Sequence, residues 1–294
     1  MEELKIYLEV DMEGITNIST LKQVTPGTPQ WFEARKYMTM DTNAAVKGII
    51  RAAEQLGKKA VIDVVDSHWK EDNILTYELD QRVNRLLAGT ENRRYPQVPN
   101  IDRSYDALLC LGNHDQWKGQ GILSHTWLFW EWTVNGVAVS ETDLNGLTAG
   151  EHNVPLILVA GDNVITSKTK ERWQKHGSDV RTVVTKEATG WESGYLYPWE
   201  RTQKEIEEGA YEAVMGMQKG IYKPIVCPGP VVITIELDTG DHVYQVLRDI
   251  EGSEYAGGTT VRFSGETFEE AVAKGAQILD MFYRPTLDEC DNNW

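Results

Sequence analysis

Leu8-Glu9-Val10-Asp11-Met12-Glu13-Gly14 closes an apolar run near the N-terminus with two carboxylates one residue apart. The preceding Lys5-Ile6-Tyr7-Leu8-Glu9-Val10 is short, β-branched and aromatic, which is the texture of a buried strand. Alternation along a strand turns Asp11 and Glu13 toward one side, where two acids can share a cation. Gly14 then releases the backbone into a loop. Acidic loop residues are commonplace, so Asp-x-Glu alone decides little. Its weight comes from what recurs further along the chain.

Residues 31–57 read as one or two helices ending at Gly57, with Ala45, Ile49, Ile50 and Ala53 at helical spacing. Ala60-Val61-Ile62-Asp63-Val64-Val65 is a second apolar strand and closes on Asp66-Ser67-His68. A helix is expected near residues 77–87, then a polar loop from Gly89 through Arg93 and Arg94 to Pro99. The third strand, Tyr105-Asp106-Ala107-Leu108-Leu109-Cys110-Leu111, runs into Gly112-Asn113-His114-Asp115. Three apolar strands therefore end in metal-type side chains: Asp11 with Glu13, then His68, then His114. In open α/β sheets the crevice beyond the carboxyl ends of parallel strands gathers residues that are distant in sequence. A lone histidine after a strand is most often a surface or capping residue; the recurrence points to a shared site.

Residues 117–139 hold Trp117, Trp127, Trp130 and Trp132 around Ser124-His125-Thr126, and their large apolar area makes core packing the default role of these rings. Ser140 suits the N-cap of a helix opening with Glu141-Thr142-Asp143, which can turn Glu141 toward the site. Val154 to Ala160 is a fourth strand, residues 167–176 a polar helix, residues 180–184 a fifth strand, residues 190–198 a loop and residues 200–217 a charged amphipathic helix. Beyond Cys227-Pro228-Gly229-Pro230 the texture changes to strands at residues 231–236 and 259–263 and a helix at residues 267–282. The expected fold is α/β: a Rossmann-like three-layer core with a mostly parallel sheet, residues 1–190, carrying the site, and a smaller C-terminal α+β subdomain, residues 191–294.

The 294 residues carry a formal charge of −16, which repels phosphate backbones and anionic membrane surfaces and is compatible with cationic ligands. No nucleic-acid or membrane partner is expected. Glu2 and Glu3 stand where a signal peptide carries basic residues, and no apolar stretch approaches the ~18 residues of a membrane span, so a cytoplasmic protein is expected. Cys110, Cys227 and Cys290 are far apart and lack C-x-x-C spacing, which suggests neither a disulfide framework nor a thiolate zinc site.

Two histidines and three carboxylates form an imidazole and oxygen donor set suited to zinc, or less often manganese, cobalt or iron. One bridging carboxylate can hold two metals, and such a pair activates water and polarises a carbonyl. His125 remains for base, proton-donor or attacking duty. In order and spacing, Val10-Asp11-Met12-Glu13-Gly14, Asp66-Ser67-His68, Gly112-Asn113-His114, Ser124-His125 and Glu141 with Leu144-Asn145 resemble the zinc D-aminopeptidases of the DppA type. The likeness extends to Val154-Pro155, Val159-Ala160-Gly161-Asp162 and Gly258-Thr259-Thr260-Val261-Arg262-Phe263. It implies that Asp11, Glu13, His68, His114 and Glu141 bind two Zn2+ ions per subunit, with Asp11 bridging, and that His125 is the catalytic histidine. It also implies a homo-oligomer, decameric in the characterised form.

Ser140 and Thr142-Asp143 around Glu141, Asp115-Gln116-Trp117 after His114, and the heavy tryptophan cluster depart from the family pattern close to the site. The expected activity is removal of an N-terminal residue, of D configuration, from short peptides or amides. The alternatives are a related amidohydrolase acting on a non-peptide amide, a metal-dependent phosphoesterase, and a non-catalytic metal- or peptide-binding module.

Overall fold

Leu4, Ile6, Leu8 and Val10 point to one side of the first strand and Tyr7 and Glu9 to the other, and every one of them is buried. A strand covered on both faces belongs in the middle of a parallel sheet. In the structure, a computed structural model describing residues 2–89 and 97–291, that is where it lies. The chain runs β1 (Glu3–Val10), α1 (Leu21–Val24), α2 (Pro29–Gln55), β2 (Lys59–Asp66), β3 (Arg85–Leu87), β4 (Ala107–Asn113), β5 (Glu131–Val134), β6 (Val137–Ala138), α3 (Glu141–Glu151), β7 (Leu156–Asp162), α4 (Asn163–Lys175), β8 (Arg181–Gly190), β9 (Ser193–Leu196), α5 (Trp199–Met217), β10 (Val231–Glu236), α6 (Gly240–Asp249), β11 (Ser253–Gly257), β12 (Thr260–Gly265) and α7 (Phe268–Asp291).

The first sheet has the order β3-β2-β1-β4-β7-β8-β9, parallel throughout except for the antiparallel hairpin of β8 with β9. Helices α2 and α5 cover one face through Ile49, Ala53, Ile206 and Ala210. Helices α3 and α4 cover the other through Ala149, Ile165 and Trp173. The α/β three-layer core expected from the strand and helix alternation is therefore present. Strand order reverses between β1 and β4, so the loops leaving these two strands diverge and open a crevice at their carboxyl ends.

A second, antiparallel sheet has the order β11-β12-β10-β5-β6 and packs on α6 and α7 around Trp130, Trp132, Ile233 and Phe263. Its β5 and β6 come from residues 131–138, ahead of the division expected at residue 190. Trp132 and Val134 pair with Ile235 and Ile233 and bury their side chains between sheet and helices, so a hairpin from mid-chain completes the C-terminal sheet. Leu144 on α3 belongs to this second core as well.

Two local expectations differ from what is observed. Residues 77–84 form turns and Arg85–Leu87 an edge strand, not a helix. The Asn43 side chain bonds the Glu78 carbonyl and the Asp80 amide, and pairing with β2 takes up Arg85, Leu86 and Leu87. Residues 190–198 hold β9, which doubles back on β8, where a loop is expected. Residues 90–96 of the expected polar loop, Arg93 and Arg94 among them, lie outside the described residues. No helix among the described residues is long and apolar enough to cross a membrane.

Candidate metal centre

The three strand ends deliver their side chains to one point. Asp11 and Glu13 follow β1, His68 follows β2 and His114 follows β4, while Glu141 arrives from the far side as the first residue of α3. All five are buried. Asp11 stands between two groups: its Oδ1 is 3.2 Å from His68 Nδ1 and its Oδ2 is 3.3 Å from His114 Nε2. On the first side His68 Nδ1 is also 3.2 Å from Glu13 Oε2. On the second side His114 Nε2 lies 3.6 Å from Glu141 Oε1, and His125 Nε2 lies 4.0 Å from the same oxygen.

These donors form two trios able to hold an ion, Asp11 with Glu13 and His68, and His114 with His125 and Glu141. Asp11 Oδ2, Glu13 Oε2 and His114 Nε2 are buried without a hydrogen bond, although each lies within ion-pairing range of a partner across the cluster. Polar atoms gathered at this range without hydrogen-bond alignment face a common centre instead of one another, as metal ligands do. The set is nitrogen and oxygen only, which fits zinc.

Each histidine is oriented by a backbone carbonyl at its other ring nitrogen. His68 Nε2 meets the Val24 carbonyl at 2.7 Å, His114 Nδ1 the Asp115 carbonyl at 3.0 Å and His125 Nδ1 the Leu123 carbonyl at 2.7 Å. A carbonyl accepts only, so each ring keeps a proton on that nitrogen, and as a neutral metal ligand it would offer the lone pair of the other nitrogen to the cluster. His125 is stacked on His114 with ring centroids 4.0 Å apart.

The supporting contacts follow from the loops. Asp66 accepts from the Asn73 and Ile74 amides and from the Asn73 side chain, which in turn donates to the His68 carbonyl. Ser140 caps α3, and Glu141 accepts from the Trp127 amide at 2.6 Å and from Gln97. Gly14 lies against β4: its amide donates to the Gly112 carbonyl at 2.6 Å, and a Cβ there would overlap the Asn113 carbonyl.

The electrostatics are those of a cation site. Burial opposes charge on His68 and His114, yet the facing carboxylates raise both imidazoles well above their ordinary value. Burial would likewise raise Asp11, but the facing His114 and His68 imidazoles hold it well below the usual carboxylate range. Burial raises Glu141, which the histidines only partly offset. Burial, reinforced by the charge of His114, pushes His125 down to about 4 and leaves Nε2 free of a proton.

The cluster opens into a cavity of about 190 Å3 walled by Trp69, Trp127, Leu128, Phe129 and Trp191. Among the described residues no lysine or arginine lines it.

The six site residues read from the sequence thus converge at one place. Sequence reasoning set His125 apart from the donors, whereas the structure places it in the second trio. It also passed over the buried Glu9, Gln97 and Lys186, whose polar groups brace the site from behind. Lys186 had a signal, a lone cation closing the run Thr182-Val183-Val184-Thr185.

A family model described as D-aminopeptidase matches residues 4–274. The D-aminopeptidase of Bacillus subtilis is 27% identical over 272 residues, 91% of this chain and 94% of that protein. Among solved structures, the Zn-dependent D-aminopeptidase DppA from Bacillus subtilis, a self-compartmentalizing protease, aligns with a TM-score of 0.85 at 25% identity, covering 94% of this chain and 97% of that one.

Proposed function

The chain belongs to the D-aminopeptidase family and is a metallopeptidase, and from that premise we propose that it binds two zinc ions and removes an N-terminal D-amino acid from short peptides or amides. In this reading Asp11, Glu13 and His68 would hold one ion, and Asp11, His114 and Glu141 would hold the other. The observation that carries it is the division of the Asp11 carboxylate, one oxygen toward His68 and the other toward His114.

Bound zinc supplies Lewis-acid polarisation of the scissile carbonyl and activation of water near neutral pH. The chain's own residues do the rest. His125 is the group proposed to move the proton: its Nδ1 is tied to the Leu123 carbonyl, so Nε2 is held open toward the Glu141 side of the cavity. From there it can take a proton from the attacking water and return it to the leaving amine. The formal charge of −16 on the chain is compatible with a substrate that carries an ammonium. The aromatic wall keeps bulk water out, which strengthens each polar contact inside.

The lack of a lysine or arginine in the described lining disfavours a phosphate ester as substrate. Since the Bacillus subtilis structure is described as a self-compartmentalizing protease, copies of this chain are also proposed to assemble into a homo-oligomer, in the cytoplasm.

The test is amine release from matched D- and L-aminoacyl dipeptides and amides by zinc-loaded protein, with the zinc equivalents counted in the same preparation. D-selective release that disappears on chelation and returns with zinc is expected. Cleavage of neither configuration by protein holding two zinc ions would retire the aminopeptidase assignment.

A further inference from the structure

Residues 12–18, which carry Glu13 away from β1, contain no helix or strand, so their carbonyls need partners from elsewhere. Met12 is served by the Ile15 amide, and Gly14 by the Thr185 hydroxyl at 2.6 Å. Asn17 is served by the Gln23 side chain at 2.8 Å. The carbonyls of Glu13, Ile15 and Ile18 all converge on one atom, Nζ of Lys186, with the last two at 2.8 and 2.7 Å.

Lys186 has no exposed surface. Burying an ammonium is costly unless it is paired; burial lowers Lys186 to about 7 against the charges of Asp162, Asp41 and Glu13, and an apolar side chain would fill the same volume without that cost. Three carbonyl acceptors need three N–H donors on a single atom, which only a lysine ammonium provides. Asp41 holds the same loop from α2 by accepting from the Thr16 amide at 2.9 Å, and Thr16 bonds Thr202 of α5 at 2.7 Å. The loop is thus fixed from three elements, and the lysine grips the Glu13 peptide itself.

We infer that Lys186 is a positioning residue: its ammonium tripod on the Glu13, Ile15 and Ile18 carbonyls presents the Glu13 carboxylate to the ion shared with His68 and Asp11. The inference rests on the two-zinc reading of the site. Lys186 does not reach the cavity, so its effect passes through Glu13. Loss of the tripod should weaken the Glu13-side ion and leave the ion on the His114 side in place.

The experiment is a zinc titration against a competing chelator for the wild-type protein, Lys186→Met and Lys186→Arg, with kcat and KM measured alongside. Wild type should bind two equivalents. In both variants one equivalent should weaken by about 10- to 100-fold, the usual penalty for losing support behind a ligand, while the other holds its affinity and kcat falls with KM retained. Arginine keeps the charge, but its planar fork cannot aim three donors from one atom, so it should not rescue. Two equivalents bound at wild-type affinity by either folded variant would overturn the inference while leaving the two-zinc reading intact. Fewer than two equivalents in the wild type would overturn that reading and the inference with it. Should the variants not fold, amide exchange over residues 12–18 of the zinc-free wild type decides. Slow exchange before zinc is added supports a loop fixed by the protein and not by the ion, as the inference requires, and fast exchange that slows only with zinc overturns it.

Discussion

His125 lies flat on His114, their ring planes 5° apart. Phe129 stacks on the other side of His125 at 4.9 Å, so the imidazole is sandwiched and its Nε2 cannot swing away from Glu141. Position and chemistry can therefore be separated. His125→Phe keeps an aromatic ring in the sandwich and removes both nitrogens. Two zinc equivalents should remain while kcat falls by about 10²- to 10⁴-fold, the range for a lost general acid or base. A variant that loses one equivalent would instead make His125 a ligand of the second ion.

Asp11 touches both trios, whereas Glu141 touches one. Asp11→Asn should weaken both zinc ions in a chelator competition, and Glu141→Gln only one. Equal losses in the two variants would remove Asp11 from the bridging position.

The close approach of Gly14 to β4 makes it intolerant of any side chain. A Cβ would meet backbone atoms of Gly112 and Asn113, which cannot rotate away as a side chain would. Gly14→Ala should lower the urea unfolding free energy by at least about 1–3 kcal/mol, the usual cost of overpacking, and should weaken zinc by displacing Glu13. An unchanged urea midpoint would count against so tight a junction.

Burial raises the Asp41 carboxyl to about 7, against the opposing Thr16 hydrogen bonds and the charge of Lys186. Below about pH 4, the unfolded value, both states carry the proton and Asp41 adds no pH dependence. Between about 4 and 7 the folded protein keeps a proton that the unfolded chain has released, so stability from this group falls as pH rises, by up to about 1.4 kcal/mol per unit. Asp41→Asn removes that slope. In zinc-free protein the stability of the variant relative to wild type should increase from pH 4.5 to pH 7.5, read by urea unfolding at both values. A relative stability that does not change with pH would contradict a raised carboxyl at this position.

Trp191 bonds the Ser124 carbonyl at 3.2 Å and borders the cavity beside Phe129. Among the described residues the hydrogen bond and ring contact of its side chain are to Ser124 and Phe129, not to a proposed metal ligand. Trp191→Ala should raise KM by about tenfold, which corresponds to about 1.4 kcal/mol of binding, and leave zinc content and kcat nearly unchanged. A fall in kcat with KM held would mean that the ring orders the His125 loop instead of contacting substrate.

The parallel core was legible because β1, β2, β4 and β7 are apolar on both faces, a signature carried within each strand. The site was legible for a related reason: in a parallel sheet the strand ends that carry Asp11, His68 and His114 must lie side by side. What stayed hidden depends on partners distant in sequence. The β5 and β6 hairpin is only four and two residues long, and nothing within it says that it pairs with Ile233 and Ile235. Lys186 showed as an isolated charge, but its three carbonyl partners lie about 170 residues away in the chain, where no periodicity can point to them. The edge strand at Arg85 was misread because apolar spacing over a few residues fits helix and strand alike.

Between His125 and Glu141 the chain departs to lend its hairpin to the second sheet and then returns. The two side chains flank that excursion, so the active site and the C-terminal sheet are stitched together by one continuous thread. A fragment ending near residue 220 would strip β5 of its partner β10 and lay Trp132 bare, and the loss would reach His125 and Glu141 within a few residues on either side. The C-terminal third is accordingly no detachable module. Recombination that exchanges it between relatives should succeed only when residues 125–141 travel with it.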